Sequence, residues 1–251
     1  MAKPVLLIRA AGNDSDAAAL SDLGISSLVD PYLEIVVSQE RGGAIDLFNS
    51  LNESHGPLWL IATSVNAIKY WAEIVGIAKL ITALSARTDL RYAAIAEATS
   101  KALIDLGARH VLTPKYANSA SLIDSLLELP PSSALIPGGN LAMTSLPSGL
   151  KAAGWNVNTA VVYTTSSVKM EPKSVSLVRK GGIAAVLLRS PSAARAFLTH
   201  LPHPGIPIIC SGPTTANAVE ELGIRVDAVA EDPTPRTVSA AILSLLKRQE
   251  S

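Results

Sequence analysis

The chain has 251 residues, 21 basic and 21 acidic side chains, a hydrophobic fraction of 48% and an aromatic fraction of 4%. That much aliphatic material fills ordinary α/β cores and excludes a disordered chain. Zero net charge without a long charged run excludes the bulk electrostatic footprint of a protein that binds nucleic acid or an anionic membrane.

Cys210 is the one cysteine, so neither an intrachain disulfide nor a cysteine metal cluster forms, and a reducing compartment fits. Met1-Ala2-Lys3-Pro4 leads straight into an apolar run with no signal-peptide pattern. Mean hydropathy is high, +0.32, yet no uninterrupted apolar stretch is long enough to span a bilayer. The expectation is a soluble, cytoplasmic, monomeric protein.

Short apolar runs alternate with helical patterns, which predicts βα units and parallel sheets. Strands are predicted over 5–9, 58–62, 92–95, 110–112, 134–136, 183–188 and 207–210. Helices are predicted over 65–75, 99–106, 119–129, 192–201 and 214–222. Gly24, Gly107, Gly154 and Gly223 stand where a helix stops.

The chain also resembles itself. Ala62-Thr63-Ser64-Val65-Asn66-Ala67 and Leu188-Arg189-Ser190-Pro191-Ser192-Ala193 each read as strand, serine, then helix. Ala96-Glu97-Ala98-Thr99 running to Gly107 is matched by Gly212-Pro213-Thr214-Thr215 running to Gly223, with Thr99 opposite Thr215. A looser pair sets Leu7-Ile8-Arg9 against Leu135-Ile136-Pro137. The copies come in different chain orders, which implies two interleaved flavodoxin-like α/β lobes. One is continuous, 39–160; the other joins 1–36 to 168–251. The crossings near 32–38 and 160–168 are β-rich and can pair as a two-stranded antiparallel connector. The alternative is one undivided doubly wound sheet.

Strong catalytic signatures are missing. There is no Gly-x-Gly-x-x-Gly, no Walker loop, no Gly-x-Ser-x-Gly, and His55, His110, His200 and His203 lack metal-ligand spacing. What remains is a set of hydroxyl and amide residues at strand ends that open helices: Thr63, Ser64, Asn66, Thr99, Ser100, Ser190, Ser192, Ser211, Thr214 and Thr215, with Gly212 beside the last three as a further binding position. Each alone reads as a helix cap. As a group beyond the carboxyl ends of parallel strands, they offer backbone N–H groups and positive dipole ends to carboxylates or phosphates. Arg9 and Arg189 sit at two such ends and are either carboxylate ligands or surface cations. Tyr163, on the second crossing, either packs as a core phenol or donates a proton in a cleft.

These segments, together with Val162-Tyr163, Cys210-Ser211-Gly212-Pro213-Thr214-Thr215-Ala216 and Pro233-Thr234, resemble the uroporphyrinogen-III synthase family over nearly the whole chain. The resemblance implies two α/β lobes around a cleft and a linear tetrapyrrole substrate, hydroxymethylbilane. It implies loss of water to an azafulvene cation, attack by the substituted carbon of the terminal pyrrole, and a spiro intermediate that fragments and recloses with that ring inverted. The product is uroporphyrinogen III, and neither metal nor organic cofactor is required. It further implies Tyr163 as the acid for hydroxyl loss and the small polar residues as cleft lining, and it raises the upstream bilane-forming enzyme as a partner. Ala96, Pro137 and Arg189 depart from the family's usual residues. The competing reading is a non-catalytic bilobal binding or sensor protein.

Overall fold

The computed structural model describes residues 3–54 and 56–249; Met1, Ala2, His55, Glu250 and Ser251, and with them the readings of the chain start and of His55, lie outside the described residues. The strands are β1 (Val5–Leu7), β2 (Ser27–Val29), β3 (Leu33–Val37), β4 (Leu58–Ala62), β5 (Leu90–Ala94), β6 (Val111–Leu112), β7 (Ser133–Gly139), β8 (Asn156–Ser167), β9 (Ala185–Leu188), β10 (Ile208–Cys210) and β11 (Ala228–Val229). They form two sheets, not one undivided sheet: five strands in the order β11-β10-β9-β1-β2 and six in the order β3-β8-β7-β4-β5-β6. The chain divides into two compact units, Met1–Glu34 with Ser166–Ser251, and Ile35–Thr165. Both boundaries fall inside strands, β3 and β8.

In the first unit every pairing between sheet neighbours is parallel. In the second, β8, β7, β4, β5 and β6 pair parallel in that order. β3 lies beside β8. The Val168 N–H donates to Tyr32 O, and the Ser38 N–H donates to Val162 O.

The central strands are buried on both faces, as parallel sheets require. Leu58, Leu60 and Ala62 face Trp71, Leu80 and Leu84. Trp59 and Ile61, pointing the other way, face Leu122, Leu126, Leu146 and Leu150. The first unit repeats this two-sided arrangement. Leu6 and Val186 meet Phe197 and Val219 on one face, while Val5 and Leu187 meet Val238 and Ile242 on the other. Full burial of each such Leu or Val stabilises the fold by roughly 1.5–3 kcal/mol.

The repeat seen in the sequence is present in the backbone. Gly107 and Gly223 have φ of 102° and 76°, which a β-carbon would strain. Gly107 N–H reaches Ile104 O and Ala108 N–H reaches Leu103 O; Gly223 and Ile224 bond Glu220 O and Val219 O in the same way. These paired bonds close both helix ends.

Several boundaries differ from the sequence reading. The strand expected over 5–9 ends at Leu7, and Asn13 Nδ2 donates to Arg9 O at 2.9 Å as the chain turns into the helix Asp14–Ser21. The strand expected over 134–136 runs from Ser133 to Gly139. It passes through Pro137 because β4 pairs with β7 only as far as Leu135, so that edge requires no donor there. The short strands β2 and β11 and the helices Gly42–Glu53 and Ile77–Ala86 were not foreseen. No helix among the described residues is long and apolar enough to cross a membrane.

Candidate active site

Each sheet has a point where the helices following two neighbouring strands leave toward opposite faces. In the second unit these are β4 and β7. The helix Val65–Val75 after β4 packs on the face of Trp71, and the helix Ser145–Ala152 after β7 packs on the face of Leu146. In the first unit they are β9 and β1, followed by Pro191–His200 and Asp14–Ser21. A doubly wound sheet opens a crevice at such a switch point, beyond the carboxyl ends of the strands. Both units carry a cavity there.

In the second unit the cavity is about 500 Å3. Ser64 is extended at φ −159°, and its Oγ accepts the Ala67 N–H at 3.0 Å, capping the helix Val65–Val75. The same Oγ lies 3.3 Å from Tyr163 Oη. The two hydroxyls share one hydrogen bond. When Ser64 donates, the phenol proton is left for a ligand. Tyr163 comes from β8, packs against Tyr70 with ring centroids 5.8 Å apart, and lies on the Cα of Gly139. Thr63 also lines the cavity, and Ile136, Leu141, Met143 and Leu146 make it largely apolar.

The corresponding cavity in the first unit, about 470 Å3, is charged. Arg9, Arg189, Ser190 and Ser211 line it. Ser190 is the counterpart of Ser64: extended at φ −158°, its Oγ accepts the Ala193 N–H at 3.2 Å and meets Ser192 Oγ at 2.9 Å. The Arg189 guanidinium is already engaged, with Nε and Nη2 on the Asp16 carboxylate and Nη1 on Pro233 O. Arg9 donates to Gly12 O at 3.2 Å and forms no ion pair among the described residues. Burial first, and the Arg189 cation second, hold the Arg9 pKa below its ordinary value, with Asp16 opposing.

The remaining predicted site residues are spread. Gly212 opens the helix Pro213–Glu220 with extended backbone, as Ala96 opens Glu97–Asp105; neither helix start has a side-chain cap. Thr99 and Thr215, one turn inside those helices, are buried at 3% and 4% exposure. Thr214 is exposed, and Asn66 is half-buried outside the second unit's cavity lining. The structure therefore brings together Thr63, Ser64 and Tyr163 in one group and Arg9, Arg189, Ser190 and Ser192 in another. Sequence reasoning missed Asp16, Gly139 and Asn140. The Gly138-Gly139-Asn140 run at a strand end was the available signal for the last two.

The model of the family described as Uroporphyrinogen-III synthase HemD matches residues 14–239. The chain belongs to the uroporphyrinogen-III synthase family. The uroporphyrinogen-III synthetase of Helicobacter pylori 26695 is similar in structure, with 20% identity and a TM-score of 0.63 over 97% of this chain and 100% of that one. A mutant uroporphyrinogen III synthase of the extremely thermophilic bacterium Thermus thermophilus is similar at 16% identity and a TM-score of 0.61, over 97% of this chain and 99% of that one. At these identities the likeness concerns the fold. Among curated proteins, none matches this chain.

In this uroporphyrinogen-III synthase, Arg189 is engaged by Asp16 on the helix Asp14–Ser21. Its carboxylate, 2% exposed, neutralises a guanidinium that is itself 9% exposed. The pair closes the wall of the crevice without adding net charge, and Arg9 is left as its unneutralised cation.

Proposed function

We propose that the chain cyclises hydroxymethylbilane with loss of water and inversion of the terminal pyrrole ring, giving uroporphyrinogen III. The observation that carries this is the Tyr163–Ser64 hydroxyl pair at the β4/β7 switch point of a chain with this family membership.

Tyr163 gives its proton to the leaving hydroxyl as the C–O bond breaks, so water departs and the positive charge spreads into the pyrrole. The phenolate left behind accepts a hydrogen bond from Ser64. It is also eased by the positive end of the helix Val65–Val75, an effect of roughly 0.3–1 kcal/mol. Attack by the substituted terminal carbon, fragmentation of the spiro centre and reclosure follow in the apolar cavity. The proton lost as the last pyrrole regains aromaticity returns to Tyr163. The substrate ionises readily, so most of the catalysis is positioning, an effect worth up to about 7–11 kcal/mol.

Acidic groups suit the helix starts at Ser64 and Ala96 in the second unit and, in the first, Arg9 and the helix starts at Ser190 and Gly212. The two units act as the two lobes of the family. The descending pairing of Tyr32 with Val168 and of Ser38 with Val162 supports an antiparallel connector of β3 and β8. We place the reaction in the cytoplasm, where a lone buried thiol such as Cys210 stays reduced. The free bilane closes spontaneously without inversion, so the upstream bilane-forming enzyme is its natural donor.

The test is a coupled assay in which hydroxymethylbilane is generated in the presence of this protein and the type III and type I products are resolved. Type III product is expected. An isomer ratio equal to the spontaneous one, with retained binding of the tetrapyrrole, would replace the enzyme by a binding protein.

A further inference from the structure

The Tyr163 side chain reaches Ser64 through a local irregularity in the sheet. β7 and β8 run in step from Ser133 opposite Asn156 to Gly138 opposite Val161. The next residue, Gly139, pairs with Tyr163, so Val162 is an extra residue in β8. A bulge of this kind re-aims the side chains that follow it. Ala160 and Val162 both belong to the core beneath the helix Val65–Val75, and Tyr163 packs against that same core. Without the extra residue, strict alternation would turn Tyr163 to the opposite face.

Two residues hold this geometry. A β-carbon built on Gly139 would lie 2.5 Å from Tyr163 Cε2 and Cζ, so the phenol occupies the space a side chain would take. Asn140 continues the ladder where β7 ends. Its N–H donates to Tyr163 O at 3.1 Å, its Oδ1 accepts the Thr165 N–H at 2.8 Å, and its Nδ2 donates to Thr165 O at 3.3 Å. The β8 backbone that follows the bulge is thereby pinned.

We infer that Gly139 and Asn140 are positioning residues that, with the Val162 bulge, aim the Tyr163 hydroxyl at Ser64 and into the cavity. The inference rests on the reading of Tyr163 as proton donor. The contact at Gly139 is with the far end of a side chain, so Gly139→Ala displaces the ring and leaves the strand in place. Asn140→Ala removes both side-chain bonds to Thr165 without touching the phenol.

The experiment measures kcat, KM and product isomers for Gly139→Ala, Asn140→Ala, Tyr163→Phe and each positioning change combined with Tyr163→Phe, with thermal midpoints recorded for all. Tyr163→Phe is expected to lower kcat by about a hundredfold. Each positioning variant is expected to lower kcat by about ten- to a hundredfold at nearly constant KM, as misplacement of a reacting group by an ångström does. In the Tyr163→Phe background neither change should lower kcat further. Asn140→Asp, which keeps the acceptor for Thr165 N–H, should recover part of the loss. If Tyr163→Phe is impaired while Gly139→Ala and Asn140→Ala match wild type, the positioning inference falls and the proton-donor reading stands. Additive losses in the double variants overturn it as well, since they mark a role independent of the phenol. A fully active Tyr163→Phe removes the proton-donor reading and the inference together.

Discussion

Asp16 and Arg189, 173 positions apart in the chain, form a two-pronged ion pair in which the carboxylate is 2% exposed and the guanidinium 9%. Asp16 stands on the helix after β1 and Arg189 directly follows β9, so the pair ties together the ends of two neighbouring strands whose helices leave toward opposite faces. Removing one partner strands a desolvated charge. Asp16→Asn is expected to destabilise the protein by about 3–5 kcal/mol, and Asp16→Leu combined with Arg189→Met by far less. Urea denaturation of the three proteins checks this. A single-variant loss below about 1 kcal/mol, the value of a solvated surface pair, would contradict the burial argument.

Arg9 behaves differently because no carboxylate in the chain is paired with it among the described residues. Its guanidinium lies 3.4–3.5 Å from where a β-carbon on Gly12 would be, so the loop holds it flat beside the crevice. Burial and the neighbouring Arg189 make its charge costly, and under the proposed function an anionic arm of the substrate would relieve that cost. Arg9→Gln should raise KM about tenfold with kcat nearly unchanged, the loss of about 1.4 kcal/mol expected for one charge-assisted hydrogen bond. The wild-type KM should rise with ionic strength more steeply than that of the variant. Equal salt dependence of the two proteins would exclude Arg9 as a substrate contact.

Cys210 ends β10 next to the candidate ligand residues Gly212 and Thr214, yet it is buried, and burial followed by the Glu220 charge pushes its pKa up to about 12. Its thiolate population at neutral pH is negligible, and the thiolate is the reactive form. Iodoacetamide at pH 8 should leave the folded protein unlabelled and fully active, while the same treatment in denaturant labels one site. Inactivation of the native protein at stoichiometric labelling would show a reactive thiol at the site.

The sequence made some elements readable and hid others for physical reasons. The strand 58–62 and helix 65–75 were legible to the residue, because a fully buried apolar run ends in a capping serine. The helix Ile77–Ala86 escaped because it follows Gly76 without an intervening loop or a side-chain cap to mark its start. β2 and β11, three and two residues long, carry too little periodicity to detect. In the candidate sites, Ser64 and Ser190 were visible because capping is local chemistry. Asp16 was not, because only the sheet brings it to Arg189. Gly139 and Asn140 escaped for the same reason: their part is defined by a register shift between two strands, which no single segment encodes.

The internal duplication supplies its own control. Ser64 and Ser190 are equivalent caps, with Oγ accepting the Ala67 and Ala193 N–H at 3.0 and 3.2 Å. Replacing either by alanine leaves one helix-start donor unsatisfied, at a cost of about 1 kcal/mol. The two changes should therefore lower stability by similar amounts, each shifting the thermal midpoint by roughly 2–4 °C for a chain of this size. Their effects on turnover should part. Ser64→Ala also removes the hydrogen bond to Tyr163 Oη, which under the proposed mechanism supports the phenolate, whereas the Oγ partner of Ser190 is Ser192, which has no ionising group to support. Ser64→Ala is expected to lower kcat about tenfold or more beyond Ser190→Ala, the cost of one hydrogen bond to a charged group. The excess should vanish when both changes are made in the Tyr163→Phe background. Equal kcat losses in the two serine variants would reduce Ser64 to a helix cap and leave the phenolate without its supporting donor.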